Sequence, residues 1–305
     1  MIAILGGLGA AVCWATSTLT SSRSSRIIGP ASTVAWMMLV GLFFAGPLTL
    51  VSGPLPALTA NLLFFAACSG IGSTLGLLLT YKALSIGKVG VVAAITSTEG
   101  AIAAVLSVAT GENLTIPVIG TLCVIAGGIA IVAFATDEMA PVVVAPVADG
   151  PALVVPVNRS EARTPAQDER SSIALAVVAA LCFGISVFGT GQLGRMVTPF
   201  AAVMPARFAG VIGVTIPLAL TGRLRLTRRT VPMVIAIGLL EVLGNASYAF
   251  GGHESVAIAA VMASQFAALA AVAAYFLFRE RVTLRQRAGI VAIVFGVAML
   301  TFARG

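Results

Sequence analysis

At 305 residues, with 59% hydrophobic and 10% charged side chains and a mean hydropathy of +1.06, the chain has too little polar surface for a water-soluble globule and belongs in a bilayer. Its net charge of +7 comes mostly from Lys and Arg in short connectors between apolar runs, with no basic stripe interleaved with aromatics. The expected counterpart is membrane lipid, not nucleic acid. Cys13, Cys68, Cys123 and Cys182 each stand alone in an apolar segment, with no Cys-x-x-Cys and no nearby histidine. They read as small core side chains, and no metal, disulfide or cofactor is expected.

A hydrocarbon core of roughly 30 Å takes about 20 apolar residues per helix. Ten such segments can be marked, near 2–20, 31–51, 58–80, 89–109, 115–135, 172–191, 199–220, 230–250, 255–278 and 283–303. The expected fold class is all-α and integral to the membrane, with ten transmembrane helices. The first segment lacks the basic flank of a signal peptide and has a counterpart later in the chain, since Ala10 to Ala15 matches Ala179 to Gly184. In the third, Gly72 and Gly76 have the small-xxx-small spacing of a helix-packing seam. Thr115 before Pro117 marks the start of the fifth, and Thr283 with Gln286 has the capping-box form at the start of the tenth. Between the fifth and sixth, residues 136–171 hold six of the eleven acidic residues and prolines at 141, 146, 151, 156 and 165. That composition predicts a flexible, partly extended linker.

The chain also repeats itself. Tyr81 through Thr115 reads against Tyr248 through Thr283, giving a first five-helix repeat over 1–135, the linker over 136–171 and a second repeat over 172–305. Five helices per copy is odd, so the second copy is expected to enter the membrane in the opposite sense, as inverted repeats. Fifteen Lys and Arg collect on one side, against Arg195 and Arg304 on the other. The charge rule then places both termini outside and the linker in the cytoplasm.

Tyr81-x-Ala83-Leu84-Ser85, then Gly111-Glu112-x-Leu114-Thr115 and a last helix through Gly120, Gly127 and Gly128, resembles the EamA repeat of the drug/metabolite transporter superfamily. The second copy runs through Tyr248-Ala249-Phe250, Glu280-x-Val282-Thr283, Gly289 and Gly296. The resemblance implies two inverted five-helix halves, movement of small metabolites, amino acids or toxic compounds, commonly outward, and both termini in the cytoplasm. A bacterial inner membrane is the setting it implies. The chain departs from the pattern in the fourth helix of each copy, which holds Ser97-Thr98-Glu99 and Gln265-Phe266-Ala267 where the family tends to carry a proline.

Glu99, Arg207 and Glu241 fall near the middles of their segments, where each would cost roughly 2.5–3.5 kcal/mol if it faced lipid. They are expected to point inward, with Arg207 and Glu241 paired. The surplus carboxylate, Glu99, is then the candidate for exchanging a proton. Glu241, Asn245, Tyr248 and Gly252 recur along one helix face and should line a cavity. Trp14, Thr96, Glu99 and Gln265 are the candidates to face them, as groups fit to bind an organic, partly polar solute. Against this, the Glu–Arg pair can serve to lock the halves together, Tyr81 and Tyr248 can be interfacial anchors, and Trp14 can be packing. His253 is expected in a solvated connector, and Glu112 and Glu280 are expected to cap or pair locally.

With no Walker-type loop, the expected function is secondary active transport of a small-molecule solute; a passive facilitator or channel is the alternative. An intramembrane enzyme is less favoured, since one histidine cannot supply a metalloprotease ligand set and all three aspartates lie in the linker. Small residues at helix seams would allow a homodimer.

Overall fold

The computed structural model describes residues 1–53, 57–86, 92, 95–135, 165–266 and 269, with 288–289, 291–292, 295–296 and 299. Its helices are α1 (Ile2–Ile28), α2 (Pro30–Val51), α3 (Ala60–Ile86), α4 (Glu99–Ala109), α5 (Ile116–Ala135), α6 (Pro165–Gly194) and α7 (Pro199–Gly210). The last runs through a π-helical turn (Val211–Thr215) into α8 (Ile216–Leu220), and α9 (Val231–Glu254) and α10 (Val256–Ala263) follow. Positions 136–164 of the expected linker, the capping box at Thr283 and most of the tenth segment lie outside the described residues.

Local chemistry accounts for the sharp joints. Gly29 sits at φ 87, a conformation that suits glycine, and its N–H closes α1 on the Ser25 carbonyl before Pro30 opens α2. Ser255 is the single extended residue between α9 and α10, and its side chain accepts from the Ile258 N–H as a helix cap.

The ten-span, inverted five-plus-five architecture expected from hydropathy does not hold. Among the described residues, six helices are long and apolar enough to cross a membrane: Ile2–Ser25, Pro30–Val51, Ala60–Thr80, Arg170–Gly194, Pro199–Leu220 and Val231–Glu254. The apolar helices Glu99–Ala109 and Ile116–Gly128 are shorter. The backbone supplies the reason at two places. The chain turns at Ser97 and Thr98, and again at Ser264 and Gln265, so α4 and α10 are about 16 and 12 Å long, too short to span. A hydropathy window measures side-chain composition and does not see these turns.

Helix pairs pack through small residues. A Cβ on Gly72 would lie 2.6 Å from the Cys182 carbonyl oxygen, and one on Gly76 2.7 Å from the Phe183 ring, so the α3 seam closes on α6. Buried hydroxyls reinforce it, with Ser69 and Thr190 2.7 Å apart and Ser186 donating to the Ser69 carbonyl at 2.8 Å. The α1 and α9 backbones meet where a Cβ on Gly6 would stand 2.6 Å from Gly251 Cα. Helix directions put the 221–230 loop, Arg23, Lys82 and Arg170 on one face of the bundle. Glu112, Arg195 and Glu254 lie on the other.

Candidate functional site

The two turns inside the apolar interior are equivalent in the sequence repeat. Thr98 N–H bonds the Ile95 carbonyl at 3.1 Å, and Gln265 N–H bonds the Met262 carbonyl at 3.4 Å, each three residues back. The hydroxyls of Thr98 and Ser264 also turn back, donating to Ile95 and Val261 carbonyls at 2.7 and 2.9 Å. Short side chains thus satisfy the backbone where the helix stops, and no proline is needed. The departure at Ser97-Thr98-Glu99 therefore preserves a break that composition conceals.

Beside these turns the two short helices cross. A Cβ on Gly100 would lie 2.5 Å from the Ala260 carbonyl oxygen and 2.6 Å from Ser264 Cβ, and one on Gly184 of α6 would meet Ile102 at 2.4 Å. Glu99 is the first residue of α4, buried, at the end of a helix whose dipole favours an anion. Among the described residues it has no hydrogen bond or ion pair, and Glu241 is the charge whose field reaches it. Thr96 is partly buried and donates to the Val92 carbonyl at 3.0 Å. Gln265 is buried, its amide against Met262 Sδ at 3.5 Å.

The second group is built by α1, α2, α7 and α9. Arg207 ends α7, immediately before the π-helical turn, with Nη2 3.8 Å from Glu241 Oε2 and 3.4 Å from the Glu241 carbonyl. Nη1 lies 3.4 Å from Met38 Sδ, and Nε has no hydrogen-bond partner among the described residues. The two partners differ in exposure, at 2% for Arg207 and 21% for Glu241. Ser17 donates to Glu241 Oε1 at 2.8 Å, and Asn245 Nδ2 bonds the Glu241 carbonyl at 2.7 Å. Trp14, one turn from Ser17 on α1, lies 6.2 Å from the rings of Tyr248 and Phe266, centroid to centroid. Its indole N–H is buried without an acceptor among the described residues.

Along the expected α9 stripe, exposure differs between its two ends. Glu241 and Asn245 are half-buried. Tyr248 is enclosed, donating to the Val187 carbonyl at 2.9 Å, and Gly252 is closed against Gly191, where a Cβ would lie 3.0 Å from Gly191 Cα. His253 is exposed within the last turn of α9, not in a connector. The side chain of Tyr81 and all of Glu280 lie outside the described residues.

Three participants carried little sequence signal. Ser17 was one of many hydroxyls in α1, Phe266 one of many apolar residues, and Glu112 was expected to pair locally. Glu112 instead joins distant parts of the chain. It accepts from the Ser107 and Ser255 hydroxyls, from Arg195 Nη2 at 3.0 Å and from Val256 N–H at 3.2 Å, while Arg195 Nε donates to the Gly252 carbonyl at 3.0 Å. Burial opposes its charge, but these donors outweigh it and hold its carboxyl below the usual carboxylate range. Among the described residues, no group of three His, Cys, Asp or Glu is placed to hold a metal ion.

Broken helices inside an apolar bundle, with charges beside the breaks, are the construction of a transporter core. The model of the EamA-like transporter family matches residues 1–134 and 170–302. The chain belongs to this family. It is a multi-pass membrane transporter of the drug/metabolite superfamily, not an enzyme. One solved crystal structure aligns with this EamA-like chain at a TM-score of 0.73 and 14% identity, covering 99% of this chain and 96% of its own. That likeness is one of fold. Among the curated proteins, none matches.

Proposed function

We propose that this EamA-like protein is a secondary active exporter of small organic solutes, coupled to protons through Glu99, in a bacterial inner membrane with its arginine-rich face in the cytoplasm. The observation that carries the coupling is the unequal treatment of two carboxylates in the apolar interior, one buried and one half-buried. Glu241 has Arg207, Ser17 and Asn245 around it, whereas Glu99 starts a half-helix with no such partner among the described residues. Protonation removes a net charge from the region beside the breaks, and deprotonation restores it. A solute and a proton can therefore compete for one buried charge.

The solute reading rests on the second group. Trp14 offers an aromatic face and an N–H, and Arg207 an Nε, neither with a hydrogen-bond partner among the described residues, and Glu241 and Asn245 stay half-exposed. Those groups suit an organic molecule with at least one acceptor. The outward direction follows the family resemblance, and the orientation follows the Lys and Arg count.

Proteoliposomes with an imposed pH gradient and a mixed metabolite library test this reading. Gradient-driven movement of one solute class is expected for the parent protein and lost in Glu99→Gln. Equal, gradient-independent flux in both would overturn coupling and leave facilitation.

A further inference from the structure

The loop between α8 and α9 carries Arg223, Arg225, Arg228 and Arg229. All four are exposed, and among the described residues none has an acidic partner. The loop's backbone is nonetheless held in place. Ser32 Oγ on α2 donates to the Arg223 carbonyl at 3.4 Å and accepts from the Arg225 N–H at 3.1 Å. Trp36 Nε1 donates to the Arg225 carbonyl at 2.9 Å. Thr230 Oγ1 accepts from the Thr227 N–H at 3.1 Å and donates to the Thr227 carbonyl at 3.0 Å, fixing the turn into α9. A pinned backbone with unpaired guanidinium groups is a prepared surface.

An apolar track leads to it. Phe208, Ile212, Ile216 and Leu220 are all exposed, at intervals of four along α7, the π-helical turn and α8, which keeps them near one side. The track ends three residues before Arg223.

We propose that the track and the loop together bind an anionic phospholipid, with an acyl chain along Phe208 to Leu220 and the phosphate against the arginines. Charge and shape select this occupant. The arginine fork matches phosphate oxygens two at a time, and a zwitterionic headgroup brings a cationic group that four arginines repel. A soluble phosphate compound would engage the arginines alone, whereas a phospholipid joins the phosphate to an acyl chain that lies along the track beside them. Trp36 is placed at the same level as an interfacial anchor. Lipid binding here requires nothing of Glu99 or of the solute site.

The chain has two tryptophans, Trp14 and Trp36, so the full chain carrying Trp14→Phe reports on Trp36 alone. It is reconstituted in phosphatidylcholine vesicles doped with brominated phosphatidylglycerol or, at the same mole fraction, brominated phosphatidylcholine. Stronger quenching by the anionic lipid is expected, weakening as salt is raised. Since each basic side chain at an anionic surface is worth a factor of about five, changing all four arginines to glutamine should weaken the preference by at least about tenfold. The fourfold Arg→Lys variant keeps the charge and should keep a preference for the anionic lipid. Equal quenching by both lipids in the parent, or an unchanged preference in the glutamine variant, overturns the proposal. Loss of the preference in the lysine variant also overturns it, because charge would then not be what selects the lipid.

Discussion

Gly100 of α4 and Ala260 of α10 meet backbone to backbone: a Cβ built on the glycine would stand 2.5 Å from the alanine carbonyl oxygen. The contact fixes how the two interrupted helices cross, and with it where Glu99 lies relative to Gln265 and Phe266.

Gly100→Ala should therefore force the two helices apart. Overpacking of this kind costs about 1–3 kcal/mol, and thermal unfolding in detergent should show a lowered midpoint. Gly46 of α2 has nothing within 4 Å of an added Cβ, so Gly46→Ala should leave the midpoint unchanged or slightly higher. Equal effects at the two positions would mean that the crossing is not tight.

The Arg207–Glu241 pair should respond asymmetrically, because its members are 2% and 21% exposed. Glu241→Gln strands a fully enclosed guanidinium, and breaking a buried pair in this way costs about 3–5 kcal/mol. Arg207→Met strands a carboxylate that keeps Ser17 as a donor and some solvent contact, so it should cost less. The double variant should recover part of the loss. A double-mutant cycle on unfolding midpoints reads both the asymmetry and the coupling.

The residues around this pair were legible in the sequence because charge in an apolar helix is costly and must be accommodated. Glu99, Arg207 and Glu241 announced themselves in that way. Several long-helix ends fell close to the apolar segments, as at Pro30–Val51 and Pro199–Leu220, whereas α1, α3 and α6 run six to eight residues past them because their polar ends continue the helix. The breaks at Ser97–Thr98 and Ser264–Gln265 were not legible, because neither contains proline or glycine and, Thr96, Glu99 and Gly100 apart, the segments around them are as apolar as a continuous span. Their turns are stabilised by hydroxyl groups that elsewhere in this chain decorate unbroken helices, as Thr74 does on the Gly70 carbonyl. Glu112 was hidden for another reason. Its partners Arg195 and Ser255 are 83 and 143 residues away, beyond the reach of any local pattern.

Glu112→Gln should weaken the fold in a pH-dependent way. The donors around Glu112 hold its folded-state carboxyl below the usual range. Its stabilisation is therefore complete above the ordinary carboxylate pKa and is lost as the pH falls through the lower, folded-state value. Charge-assisted hydrogen bonds set the size at about 1–2 kcal/mol, reduced by the partial exposure of Arg195. Near neutral pH the variant should unfold at a lower temperature than the parent, and in acid the two curves should converge. A gap that persisted or widened in acid would assign the loss to something other than this charge.

Trp14→Phe separates packing from recognition. The indole N–H is buried with no acceptor among the described residues, and an unsatisfied buried donor costs about 1–3 kcal/mol. Phenylalanine removes that donor while keeping an aromatic ring beside Tyr248 and Phe266, although it gives up some packing area. Folding stability should fall little or rise. Transport should behave differently if the N–H donates to the solute. The apparent KM would then rise roughly tenfold, as expected for one lost hydrogen bond in a desolvated site, with little change in maximal rate. Unfolding midpoints and concentration-dependent flux on the same preparations separate the two roles. Large destabilisation with unchanged KM would make Trp14 a packing residue. Unchanged stability with raised KM would place its N–H on the solute.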